Sequence, residues 1–157
     1  MKKNVTPKGV PRSISKKMLT GGKKNILFVC KYNRFRSRIA EAYFKKINKN
    51  KNIQVSSAGT FRGSYPIDAQ QERLCKKLGV DIRGKPRGIS TNLLRKTDTI
   101  IIVSDDVPKK LFTFEKKYVQ NIIVWKIPDE QNANEGNIIK IVNSIKSRVE
   151  KLVEELK

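Results

Sequence analysis

Apolar residues run without interruption over 26–29 and, within a strand expected at 99–103, from Ile100 onward after Thr99, and strand-like segments of mixed character lie at 53–58 and 121–127. Uninterrupted runs of this length suit strands covered on both faces, as in a parallel sheet. Between them the period lengthens to three and four. Ile39, Ala40, Tyr43, Phe44 and Ile47 mark one face of a helix opening at Ser37, and Leu74, Cys75 and Leu78 mark another over 68–78. The segment 137–156 carries Ile138, Val142, Ile145, Val149, Leu152 and Leu156 on a third face. Ile141 and Val153 widen that stripe beyond a coiled-coil seam, which predicts packing on a sheet rather than on a second copy. Boundary residues agree with these periods. Asp68 and Ser90 can accept N-cap hydrogen bonds, Ser90 for a short helix through about residue 96, and Gly79 can stop the 68–78 helix. Pro108 suits the first turn of a short helix over 108–116.

Strands alternating with helices predict one three-layer α/β domain of the flavodoxin-like kind, its four parallel strands wound in the order 2-1-3-4 by right-handed crossovers. Such sheets bind ligands beyond the carboxyl ends of their strands, where the winding reverses between strands one and three. Cys30 leaves the end of the first strand and Asp129 follows the fourth, so the topology predicts both on one edge.

The sequence around Cys30 carries the chemistry. Cys30 is followed by five residues and then by Arg36-Ser37 at the start of a helix. Backbone N–H groups at a helix N-terminus lack intrahelical partners and carry the positive end of the dipole, so a loop feeding one is an anion site. A thiol facing those groups is favoured as the thiolate. Arg36 offers a planar fork to two oxyanion oxygens, which lysine cannot do. Ser37 can donate its hydroxyl to the thiolate, and Asn33 can tie the loop's backbone together while tolerating left-handed angles.

The run from Val29 through Ser37, followed by Ala40-Glu41, resembles the active-site loop of the low-molecular-weight protein tyrosine phosphatases. The resemblance extends in order through Ser57-Ala58-Gly59-Thr60, Leu78 to Ile82, Arg87 to Ser90 and Asp98 to Ile102, and covers the chain from about Lys24 onward. It implies a cysteine-dependent phosphatase acting on phosphotyrosine proteins or small aryl phosphates through a Cys30 thiophosphate, with Arg36 holding the phosphoryl oxygens and Asp129 as general acid. Lys31, Tyr32, Asn33, Arg34, Phe35 and Ser37 would bind the substrate phosphate, and no metal or cofactor is called for. Phe61 and Tyr65, in the loop after the second strand, are candidates for an aryl pocket wall. The chain departs from the family at four points. Pro128-Asp129-Glu130 replaces an Asp-Pro pair, leaving Asp129 or Glu130 as the acid; Tyr32 stands for a loop glycine; Phe35 stands for a second loop cysteine; and the tyrosines that often follow the acid are absent. Related arsenate reductases share the loop. Their thioredoxin-coupled form uses a later cysteine pair, and this chain has no cysteine after Cys75, which leaves arsenate reduction by an external thiol as the alternative enzyme. A catalytically silent protein binding anions or nucleic acid on the same fold is the alternative outside enzymes.

Composition bounds these readings. The chain has 157 residues, 35 Lys plus Arg against 14 Asp plus Glu, and a net charge of +21 with no His, which excludes His-based metal sites and bases. Such a surface attracts acidic partners, although lysines spread along a Lys-, Asn- and Ile-rich chain also reflect biased composition. Residues 1–22, basic and poor in large apolar side chains, are expected to form an extension, with the domain at 23–157. Two distant cysteines, Cys30 and Cys75, make no disulfide framework and fit a reducing cytoplasm. No apolar run reaches the roughly 20 residues that span a bilayer, so a soluble protein is expected; a monomer is the expected state.

Overall fold

The computed structural model describes residues 22–61, 65–115, 119–129 and 134–157. Nearly all of the expected extension at 1–22, and Glu130, lie outside them. The strands are β1 (Lys24–Cys30), β2 (Ile53–Gly59), β3 (Thr99–Val103) and β4 (Asn121–Trp125), and the helices are α1 (Arg36–Ile47), α2 (Ala69–Lys77), α3 (Thr91–Arg95) and α4 (Glu135–Glu155). All strand pairs are parallel, in the order β2-β1-β3-β4.

The central strands are apolar on both faces because both faces are covered. Ile26 and Phe28 of β1, with Ile101, Ile123 and Trp125, belong to a core shared with α1, α2 and α4. Leu27 and Val29, with Ile100 and Ile102, belong to a second core closed by Leu94 of α3 and by Val107 and Phe112. These are the three layers expected. The Phe28 ring lies 6.1 Å from Phe44 and 5.8 Å from Trp125, locking α1 over the sheet. Tyr43 donates to Glu150 Oε2 at 2.7 Å and clips α1 to α4. Cys75 is fully buried in the first core, and that burial pushes its thiol up to about 12.

The helix α1 opens at Arg36, one residue before the expected Ser37, and three further departures from the sequence expectation have a local reason. β4 ends at Trp125 instead of 127, because its partner β3 ends at Val103 and the last register pair is Val103 with Trp125. Ile127 then turns back, its N–H donating to Trp125 O at 2.8 Å and its own carbonyl accepting from Asp105 N at 3.0 Å. The segment expected as a helix over 108–116 is a 3-10 helix at Lys109–Glu115, its first turn closed by Leu111 N donating to Pro108 O at 3.2 Å. Finally, α4 opens at Glu135 rather than 137, since the Asn134 side chain accepts from Gly136 N and Asn137 N.

Candidate active site

β1 ends at Cys30 and α1 begins at Arg36, so residues 31–35 form the loop at the crevice between β1 and β3. Asp68, Ser90 and Asn134 cap α2, α3 and α4 with their side chains, whereas α1 has no side-chain cap at Phe35. Its first-turn N–H groups are therefore left to another acceptor, the condition for an anion site.

A chain of hydrogen bonds organises the nucleophile. Cys30 Sγ lies 3.0 Å from Ser37 Oγ. Asn33 Nδ2 donates to the same Ser37 oxygen at 2.8 Å and to Ser57 Oγ at 2.9 Å. Because an amide NH₂ can only donate, the Ser37 hydroxyl proton is free to point at sulfur. Ser57 in turn donates to Glu41 Oε1 at 2.5 Å. The other end of the Asn33 amide accepts from Arg87 N at 3.0 Å and from Arg38 Nη1 at 3.4 Å. Asn33 is also the only non-glycine residue with positive φ among those described, at 58°. Tyr32 carries no such strain, which explains how a tyrosine occupies a loop position that resembles a glycine of the family.

The loop rests on β2. Thr60 N donates to Cys30 O at 3.0 Å and Phe61 N to Lys31 O at 2.9 Å. Gly59 lies beneath: a Cβ there would stand 2.6 Å from the Tyr32 carbonyl carbon and 2.8 Å from Asn33 N. At that position only glycine lets the loop backbone approach so closely.

Arg36 is buried at 2% exposure, and its guanidinium is held from the side of β3 and β4. Nη1 donates to Ile127 O at 2.9 Å and Nη2 to Asp106 Oδ1 at 3.1 Å. Asp105 and Asp129 are also within ion-pair distance, at 3.6 and 3.7 Å. Burial acts to raise the Asp106 pKa, but a hydrogen bond from Ser104 and the charges of Arg36 and Lys31 outweigh it and hold the carboxyl below its ordinary range.

A cavity of about 210 Å³ opens here, lined by Cys30, Tyr32, Arg34, Phe35, Arg36, Asp68, Gln71 and Asp129. Of the residues singled out in the sequence, Cys30, Arg36 and Asp129 thus meet at one cavity. Phe35 is 4% exposed and its ring belongs to the core. Arg34 Nε donates to Pro66 O at 2.8 Å, tying the loop to the segment before α2. The Tyr32 ring packs against Phe61 and Tyr65 at 5.6 and 5.1 Å, and Lys31 Nζ lies 5.5 Å from Tyr32. Phe61 and Tyr65 are two of the exposed large apolar side chains, so the rim beside the cavity is aromatic.

Asp105, Asp106 and Gln71 are site residues that the sequence pattern does not single out. That pattern marks Asp68 only as a helix cap. Topology held a usable signal, because β3 neighbours β1 and its carboxyl end must face the same crevice.

Comparison with known proteins decides the family. The family model for low molecular weight phosphotyrosine protein phosphatases matches residues 25–157. The chain belongs to that family. A low molecular weight phosphotyrosine protein phosphatase of Rattus norvegicus is 31% identical over 90 residues, 54% of this chain and 57% of the rat protein, so the match spans little more than half of that relative. Among solved structures, a protein tyrosine phosphatase from Entamoeba histolytica shares the fold with a TM-score of 0.74 at 22% identity, covering 85% of this chain and 97% of the other. An arsenate reductase from Archaeoglobus fulgidus is similar with a TM-score of 0.63 at 26% identity, over 82% and 98% of the two chains. Among the described residues no helix is long and apolar enough to cross a membrane.

Proposed function

We propose that this chain is a cysteine-dependent phosphatase hydrolysing phosphotyrosine or other aryl phosphate monoesters. The observation that carries the reading is the Cys30 Sγ, 3.0 Å from Ser37 Oγ, lining one cavity with Arg36 and Asp129. In the first half-reaction the Cys30 thiolate attacks phosphorus in line, the P–O bond to the aryl group breaks, and Asp129 gives its proton to the departing oxygen. In the second, water attacks phosphorus, Asp129 takes a proton from it, and the S–P bond breaks to return the thiolate and release phosphate. Arg36 and the loop N–H groups of residues 31–37 hold the equatorial oxygens, where negative charge is spread in the transition state. Ser37 stabilises the thiolate each time it leaves. The aromatic rim of Tyr32, Phe61 and Tyr65 supports an aryl rather than an alkyl leaving group.

The test is phosphate release from an aryl phosphate in metal-free buffer across pH 5 to 8. Turnover is expected in wild type, lost in Cys30→Ser and Arg36→Ala, and reduced in Asp129→Ala most severely for poor leaving groups. No release by folded, reduced wild type would overturn the reading.

Arsenate reduction with an external thiol is the second reading, motivated by the similarity to the Archaeoglobus protein. Thiol-dependent arsenate turnover abolished by Cys30→Ser would establish it. We place residues 23–157 in the catalytic domain and 1–22 in a basic extension, and read the protein as a cytoplasmic monomer whose +21 charge favours acidic substrates or partners.

A further inference from the structure

We propose that Arg38 is a positioning residue for the reaction, fixing the orientation of the Asn33 amide and through it the Ser37 hydroxyl on Cys30. The inference rests on the phosphatase reading above.

Arg38 lies in the first turn of α1, and its guanidinium joins two separate segments. Nε donates to Ile82 O at 2.8 Å and Nη2 to Arg83 O at 2.9 Å, while Nη1 reaches both Lys85 O and Asn33 Oδ1 at 3.4 Å. Three backbone carbonyls thus anchor the fork whose remaining edge faces Asn33. The segment is shaped to the guanidinium: Gly84 has φ +142°, and a Cβ on it would stand 2.2 Å from Arg38 Nη2. A lysine amine has neither the planar fork nor enough donors in one plane to span these acceptors.

The Asn33 end shows what the anchor is for. In the observed orientation Nδ2 faces Ser37 and Ser57, and Oδ1 faces two donors, Arg87 N and Arg38 Nη1. Rotating the amide by half a turn would aim Oδ1 at the Ser37 hydroxyl. That oxygen would then compete with Cys30 sulfur for the only proton Ser37 can donate. The rotation would also set the NH₂ group against a backbone N–H and a cation. A single neutral donor opposes it weakly; adding a charged one opposes it strongly. Burial lowers the Arg38 pKa, while Glu41 and Cys30 act to raise it again.

The test compares wild type with Arg38→Met, Arg38→Lys, Asn33→Ala and the Asn33→Ala/Arg38→Met double variant, with Lys77→Ala, an exposed residue at the end of α2, as a control for loss of a cation. The readouts are kcat and KM for an aryl phosphate, the melting temperature, and protection of Cys30 from iodoacetate by inorganic phosphate. Arg38→Met is expected to lower kcat about 10- to 100-fold with a smaller rise in KM, the upper end being the scale of effect for misplacing a catalytic group by about 1 Å. Arg38→Lys should recover little of the loss and Lys77→Ala should match wild type. The double variant should be no slower than Asn33→Ala alone, because both changes disturb one element. Additive losses, full activity of Arg38→Lys, or a loss that only follows unfolding would overturn the proposal. If Arg38→Met does not fold, Gly84→Ala carries the test by crowding Nη2 without deleting the charge, and wild-type turnover in it would overturn the proposal. If wild type releases no phosphate, the phosphatase reading falls while Arg38 is judged by protection alone. Phosphate should then protect Cys30 several-fold less well in Arg38→Met, again without further loss in the double variant, and equal protection would overturn it.

Discussion

Replacing Asp106 by Asn tests whether Arg36 must be aimed or merely present. The substitution keeps the shape and an acceptor for Arg36 Nη2, now 3.1 Å from Asp106 Oδ1, and removes only the charge. At that separation the pair attracts by about 5 kcal/mol for an effective dielectric near 20. The net loss is smaller. The Asp106 side chain is 34% exposed, and Asp105 and Asp129 stay within ion-pair distance of the same guanidinium. Solvent screening and these substitutes leave about 1 to 2 kcal/mol, in keeping with single hydrogen bonds to charged groups. If that energy orients Arg36 in the transition state, kcat falls about 5- to 30-fold. KM should not rise, because removing a negative charge beside the cradle favours a phosphate dianion. The assay is steady-state hydrolysis of an aryl phosphate from pH 5 to 8, with urea denaturation alongside. Over this window Asp106 is ionised in folded and unfolded protein alike, so its stabilisation is fully present. It disappears only as pH falls below the ordinary carboxylate range of about 4 toward the lower folded value. The stability difference between wild type and Asp106→Asn should therefore be flat from pH 5 to 8 and shrink in stronger acid. Unchanged kcat would refute the reasoning and leave the Ile127 carbonyl as sufficient support for Arg36.

Cys75, whose thiol burial pushes up to about 12, should make the fold alkali-sensitive. Its contribution is complete below the unfolded thiol value near 8.5 and is lost as pH rises, by about 1.4 kcal/mol per unit, so urea titrations at pH 7 and 10 should show a drop of about 2 kcal/mol in wild type beyond that in Cys75→Ala. Gly59→Ala should displace the loop, because the added Cβ meets the Tyr32 and Asn33 backbone rather than a side chain that can swing away. A destabilisation of about 1 to 3 kcal/mol by thermal melting is expected, with weaker phosphate protection of Cys30 from alkylation. Because Phe35 occupies the position of the family's second loop cysteine, a Cys30 sulfenic acid has no loop thiol to trap it as a disulfide, so prolonged peroxide should carry it on to the sulfinic acid and cause a loss of activity that an added small thiol does not reverse; full recovery with thiol would contradict this. Cys75→Ala should behave as wild type in that experiment.

The parts of the fold that sequence reveals are those where each residue's neighbours follow from period alone. Ile100 to Val103 must be a buried strand whatever surrounds it, and Cys30 at the end of such a strand must face the ligand edge. Lys126-Ile127 continues the alternation of strand four in sequence, yet the strand stops at Trp125, because what ends it is the length of β3, a property of another segment. Asp105 and Asp106 were missed for a similar reason. A polar pair after a strand looks like any loop entry, and nothing local marks that a buried arginine 70 residues earlier would meet it. Arg38 was hidden by composition, one cation among 35. Its four acceptors lie on backbone and on one amide, which carry no signature in sequence.

The loop's departures from the family make sense once its supports are counted by where they come from. A cradle of backbone N–H groups works only if the backbone is rigid, and glycine at the position of Tyr32 would leave that rigidity to hydrogen bonds alone. Here the Tyr32 ring is packed between Phe61 and Tyr65, and the Phe35 ring is sunk into the core beside α1. Both side chains pin the loop, one at the aromatic rim and one in the core, while Asn33 between them takes the one left-handed conformation and supplies the amide that Ser37, Ser57, Arg87 and Arg38 hold. Rigidity therefore comes from apolar packing at residues 32 and 35 and from polar ties at residue 33. The packing resists salt and the polar ties do not depend on the aromatic rim, so a change at Tyr32 and a change at Arg38 act on different supports. Their effects on turnover should add, in contrast to the pairing of Arg38 with Asn33.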